Sequence, residues 1–284
     1  MNTRAILVIA CADRPGIVAA VTGFLHKLTA NITALDEHAT ASEGGRFFMR
    51  VEVDTTRMTL SESELCESFQ REVASAFSMT WRWRACQNQR KMALLASRTD
   101  ATPLELLWRW RRGELPAELV CVISNHADLR EAVEDFNGPF HHIPNTPEQR
   151  QTAEEQMLSI LEGVDLLVLA RYMQILSADF LAHRPNQVIN IHHSFLPAFA
   201  GADPYRQAFD TGVKRIGATA HYVTPELDAG PIIEQDVIAV NHRHGVQELR
   251  KLGRDIERQV LARAVQWHLE DRVLVDGNKT VVFV

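Results

Sequence analysis

The run Asn190-Ile191-His192-His193-Ser194-Phe195-Leu196-Pro197 gathers reactive side chains in one short stretch. Asn190 and His192 are two residues apart, so on an extended chain they project to the same side. An amide that donates and an imidazole that can be cationic form an oxyanion-stabilising pair. A second cluster, Leu227-Asp228-Ala229-Gly230-Pro231, sets Asp228 on a turn. An aspartate beside a histidine can orient the ring and hold it protonated. The plainer reading makes Asp228 a turn residue and Asn190 and His192 strand-end caps. Spacing alone leaves both readings open and does not bring the two clusters together.

Such groups act only when a scaffold holds them. Residues 3–10 read as a strand, and Asp13-Arg14-Pro15-Gly16 as a turn opening a helix with Ile17, Val18, Val21, Phe24, Leu25 and Leu28 at helical spacing. Strands at 32–40 and 46–53 flank a Gly44-Gly45 hairpin turn, a helix is predicted over 61–77, and 79–85 alternates like a strand. This βαββαβ order predicts a ferredoxin-like sandwich over residues 1–86. From residue 87 onward strands and helices alternate, and 164–170 (VDLLVLA) is continuously apolar, as a parallel strand buried on both faces would be. Residues 87–284 are therefore predicted to form a doubly wound, mostly parallel α/β sheet. In such a sheet, ligands bind beyond the carboxyl ends of the strands. The tail, 272–284, reads as two short strands joined at Asp276-Gly277.

Composition narrows the classes. The 284 residues are 46% hydrophobic and 23% charged, with a formal net charge of -6. These values suit a soluble protein of two domains, not a disordered or fibrous one. A mildly acidic chain is a poor nucleic-acid binder, although Trp81-Arg82-Trp83-Arg84 and Trp108-Arg109-Trp110-Arg111-Arg112 interleave bases and aromatics. No apolar run reaches the ~18 residues of a membrane span. Cys11, Cys66, Cys86 and Cys121 are widely spaced without a CxxC pair, as expected of free thiols in the cytoplasm. The 12 histidines show no HExxH or zinc-ligand spacing, so no metal is expected. The charge-rich stretch 248–258 reads as a solvated helix face.

The segments NIHHSFLP and GATAHYVTPELDAGPIIEQ together resemble the folate-dependent formyltransferase family. The resemblance implies a catalytic trio of Asn190, His192 and Asp228. It implies a pterin-binding segment in LARYMQILS, where backbone groups at Tyr172, Met173, Gln174, Ile175 and Leu176 would meet the ring, and it places His221 near the site. DRPGIVAAVTGFL resembles the ACT signature, and SNHADL, FHHIP and NIHHSFLPAF resemble the branch of the family that joins an ACT domain to a hydrolase domain. That branch implies hydrolysis of 10-formyltetrahydrofolate to formate and tetrahydrofolate, with folate as substrate and no separate cofactor. It also implies a homo-oligomer and an amino-acid effector beside Asp13, Arg14, Gly16 and Asn31. A turn and a helix cap used only for packing is the plainer account of those four residues.

Acceptor chemistry separates the branches. Relatives that act on glycinamide ribonucleotide carry a glycine-rich phosphate loop after the first strand of this domain. Here that stretch is Ser97-Arg98-Thr99-Asp100-Ala101-Thr102-Pro103, with no glycine and an aspartate that would repel phosphate. Water is the expected acceptor. The same stretch also departs from the hydrolase branch, which usually carries a His-Cys pair there. Transfer to a small acceptor, or a catalytically silent sensor, are the alternative readings.

Overall fold

The computed structural model describes residues 4–41, 43–58, 60–199 and 203–284, and the chain divides into two compact units. The first comprises residues 1–89 together with 271–274 and 281–284. Its elements are β1 (Arg4–Ala12), α1 (Ile17–Lys27), β2 (Asn31–Ala39), β3 (Arg46–Asp54), α2 (Glu62–Phe69), a π-helical stretch Gln70–Ala74, α3 (Ser75–Phe77) and β4 (Thr80–Ala85). The sheet order β2-β3-β1-β4 is antiparallel throughout. Alternation explains how it buries both faces. Leu7 and Ile9 of β1 join Val51 and Val53 of β3 under Val21, Leu25, Leu65 and Phe69 of the helices.

On the opposite face, Phe48 is fully buried beneath Leu274 and Phe283. Leu274 lies in β12 (Val273–Asp276) and Phe283 directly follows β13 (Lys279–Val282), and the two strands turn at Gly277 with φ 59°. The expected boundary places the whole tail in 87–284; Leu274, Val281 and Phe283 instead pack with the first sheet, over the face the helices leave open. Arg82 and Arg84 of β4 both clasp Asp271, with Arg84 Nε 2.5 Å from Oδ2. The alternation of β4 thus sends its arginines to an ion pair, while Trp81 and Trp83 pack on the core.

The second unit comprises residues 90–270 and 275–280. Its seven strands are β5 (Arg90–Ala96), β6 (Ala117–Ser124), β7 (Phe140–His142), β8 (Leu166–Leu169), β9 (Val188–His192), β10 (Arg215–Tyr222) and β11 (Ile232–Ala239), in the order β11-β10-β9-β8-β5-β6-β7. Strands β5 to β9 pair in parallel, and β10 and β11 are antiparallel. All four residues of β8 are buried, as its apolar run requires. The helices are α4 (Ala101–Arg111), α5 (Arg130–Asp135), α6 (Arg150–Ile160), α7 (Ala178–Ala182), α8 (Pro204–Thr211) and α9 (Val246–Leu269). Among the described residues, no helix is long and apolar enough to cross a membrane.

Candidate active site

A cleft of about 310 Å³ opens at the carboxyl ends of β8 and β9. Its chemical wall comes from three pieces of chain. Strand β9 supplies Asn190 and His192, and β10 lies antiparallel beside it with His221 opposite Asn190. Cross-strand partners share a face of the sheet, so the Asn190 Nδ2 sits 3.3 Å from the His221 Nε2. The third piece is the turn from β10 to β11. Asp228 takes the left-handed backbone there, φ 55°. Gly230 makes that turn feasible, since a Cβ at this position would lie 1.8 Å from the Tyr222 carbonyl oxygen. The two sequence clusters therefore do meet: the His192 Nδ1 is 3.2 Å from one Asp228 oxygen and the His221 Nε2 3.8 Å from the other.

The proton inventory follows from partners. His221 Nδ1 is 2.9 Å from the Tyr222 carbonyl, which can only accept, so this nitrogen carries the hydrogen. Burial pushes the His221 pKa below its ordinary value and keeps the ring neutral. Its Nε2 is then a lone pair that accepts from the Asn190 amide. This fixes which end of Asn190 is the nitrogen and leaves its second N–H free of that bond. The hydrogen bond from His192 is the main reason the Asp228 carboxyl sits below its usual range, so it is ionised. His192 itself is 5% exposed, and its Nε2 is buried with no hydrogen-bond partner. Next door, burial, reinforced by the Arg171 and His192 charges, drives His193 down to about 3.

The opposite wall is the loop after β8. It is pinned at several points: the Tyr172 hydroxyl accepts from Asn145 Nδ2 at 3.1 Å, Arg150 Nη2 donates to the Ile175 carbonyl at 2.6 Å, and Ser177 N donates to Glu154 at 2.8 Å. Tyr172 and Leu176 turn into the core, which leaves Met173 and Ile175 more than 60% exposed at the cleft. All of Tyr172 to Leu176, and His221, contribute to the cleft surface. None of residues 97–103 does, so the departure at Asp100–Pro103 lies outside it.

The cleft contains groups the sequence did not single out, Arg171 and His193 among them. In the first unit, Asp13, Arg14 and Gly16 line a separate cavity of about 600 Å³ with Glu37 and His38. Asn31 does not join them. It pairs with Asp54 at one end of the sheet, while Asp13 N bonds the Gly45 carbonyl at the other. Among the described residues, no group of three His, Cys, Asp or Glu side chains is placed to hold a metal ion.

This arrangement has close counterparts. A family model described as formyl transferase matches residues 90–265. Formyltetrahydrofolate deformylase of Bacillus subtilis is 50% identical over 98% of this chain and 93% of its own length. A crystal structure of a formyltetrahydrofolate deformylase from Pseudomonas syringae superposes with a TM-score of 0.96, at 47% identity, covering 99% of this chain and 95% of that one. The chain belongs to the formyltetrahydrofolate deformylase family. A glycinamide ribonucleotide transformylase from Symbiobacterium toebii also matches, with a TM-score of 0.65 and 30% identity, but covers 69% of this chain and 95% of its own. Deformylase relatives thus match both units, and the transformylase leaves part of the chain unmatched.

Proposed function

We propose that this cleft hydrolyses 10-formyltetrahydrofolate to formate and tetrahydrofolate, using Asn190, His192 and Asp228. The observation that carries the scheme is the His192–Asp228 pair at 3.2 Å, with the other imidazole nitrogen buried and unpartnered at the cleft. The pterin lies along residues 172–176, against Met173 and Ile175. N10 bears an aryl ring and is weakly basic, which activates the formyl carbon. Water attacks that carbon, and the Asp228 carboxylate takes a proton from it. In its cationic form His192 donates Nδ1–H to Asp228 and Nε2–H to the oxyanion, and the second N–H of Asn190 adds a further donor. The C–N10 bond then breaks, N10 receives the proton held by Asp228, and formic acid leaves, giving its remaining proton to solvent to become formate. The scheme draws on no metal or separate cofactor.

Formate release from 10-formyltetrahydrofolate in buffer alone tests the reading. Release only when a small amine is added would instead support transfer, and binding without turnover would support a silent sensor.

The first unit is read as an ACT domain, supported by its βαββαβ order and the cavity beside Asp13, Arg14 and Gly16. Its roles are to bind a small amino acid and to assemble a homo-oligomer through sheet edges. Calorimetric titration giving no heat with any amino acid would leave assembly as its role. The four free thiols suit a cytoplasmic setting.

A further inference from the structure

Helix α9 carries a carboxylate with no business in a solvated face. Glu257 is 1% exposed. One of its oxygens forms an ion pair with Arg171 Nη1 at 3.3 Å, without hydrogen-bond geometry, and the other accepts from the Tyr205 hydroxyl at 2.5 Å. The approach of Tyr205 depends on Gly253, one turn earlier, where a Cβ would lie 1.9 Å from the Tyr205 oxygen. Burying a carboxylate is unfavourable unless it is paired and hydrogen-bonded, so this site is built for the partners it has.

Arg171 is the informative partner. It opens the loop that walls the cleft, and its backbone is left-handed, φ 63°, as is that of Met173, φ 61°. Long side chains seldom hold this conformation without outside constraint. Between them, Tyr172 is locked in the core by Asn145 and Met157. Release of Arg171 would let the backbone at 171 return to the favoured region, and with Tyr172 fixed the displacement would fall on Met173. The same network touches the chemical wall, since the Tyr205 ring packs 5.9 Å from His193.

We propose that Glu257 is a positioning residue for the reaction: by clamping Arg171 it holds the loop 171–176 in the shape that receives the folate. It touches neither substrate nor reacting atoms in this scheme. The proposal rests on the reading of the cleft given above.

A double-mutant cycle on the full-length protein tests it, with Glu257→Gln, Arg171→Met and the pair together. Glutamine keeps an acceptor for Tyr205 and removes the charge that holds Arg171. The readouts are KM and kcat for 10-formyltetrahydrofolate, and the Kd of tetrahydrofolate by direct binding. Each single variant is expected to raise KM and Kd about tenfold with a smaller change in kcat, and the double variant to be no worse than either, as for two residues acting as one unit. Multiplicative losses, or an effect on thermal stability alone, would overturn the proposal. Should Glu257→Gln fail to fold, Glu257→Asp, which keeps the charge but shortens its reach to Arg171, takes its place in the cycle: an unchanged Kd rejects the clamp, and a raised Kd that Arg171→Met does not raise further supports it. A wild-type protein that binds tetrahydrofolate but releases no formate would sink the hydrolytic reading while leaving the loop test intact.

Discussion

Two aspartates in this molecule share a backbone and differ in purpose. Asp228 and Asp271 both take left-handed φ, 55° and 56°, and each carboxylate lies between two basic side chains. Asp271 has arginines, Arg82 and Arg84, and its side chain is wholly buried. Guanidinium does not lose its proton in proteins, so this cluster has one charge state and acts as a fastener for the tail. Asp228 has imidazoles, His192 and His221, and its side chain keeps 13% exposure at a cleft. Imidazole, unlike guanidinium, has both a neutral and a cationic form. A carboxylate set between fixed charges holds a structure together, whereas one set beside imidazoles at a cavity has neighbours that can take part in proton transfer.

The contrast can be broken from either side. The largest effect is expected for Asp228→Asn, which should slow formate release by about 10³-fold or more while leaving the melting temperature nearly unchanged, as for loss of a group acting as both base and orienter. A near-wild-type rate would remove Asp228 from the mechanism. Asn190→Ala should cost about 10²-fold in kcat, the usual loss for one oxyanion donor; a change confined to KM would reassign it to binding.

Asp271→Asn should do the reverse. It should lower stability by about 3 kcal/mol, the scale for breaking a buried pair, with kcat/KM retained at temperatures where the protein is folded. An unaltered urea midpoint would show that the Arg82–Arg84 cluster is idle.

The smallest effect concerns pH. The His193 pKa is depressed to about 3, against an ordinary value near 6.5. Between those values the unfolded chain binds a proton that the folded chain does not, so stability rises with pH across this window and falls as the pH is lowered through it. His193→Gln should reduce the loss of stability between neutral pH and pH 4.5, by up to about 1.4 kcal/mol per pH unit within the window. Parallel urea titrations of the two proteins at both pH values check this, and identical pH dependence would refute it.

Much of this was legible because periodicity reports burial. The apolar run of β8, the alternation of β4 and the helical spacing of α1 each have one physical solution, and the elements form where that solution predicts. The short α7 and α8 were not read. At five and eight residues, they span too few turns for a period to emerge. The site was legible as residue types in NIHHSFLP and LDAGP, but their meeting depends on β10 returning antiparallel to β9, which spacing does not encode. The solvated reading of 248–258 was mistaken at Glu257. Its position, four residues after Gly253 and four before the buried Leu261, was a usable signal, because residues at that spacing share a helix face. Family likeness groups Asn31 with Asp13 at an interface between paired domains, and within one chain the two lie at opposite ends of the sheet.

The tail has a consequence for how the protein is made. Because 271–274 and 281–284 belong to the first unit, the second unit is threaded through it as an insertion. A ribosome delivers β1 to β4 first and the lid over Phe48 nearly two hundred residues later. During that interval the nascent sheet shows Val8, Ala10 and Phe48 to the cell without their cover. Apolar surface left uncovered in this way is the kind that chaperones bind and that promotes aggregation.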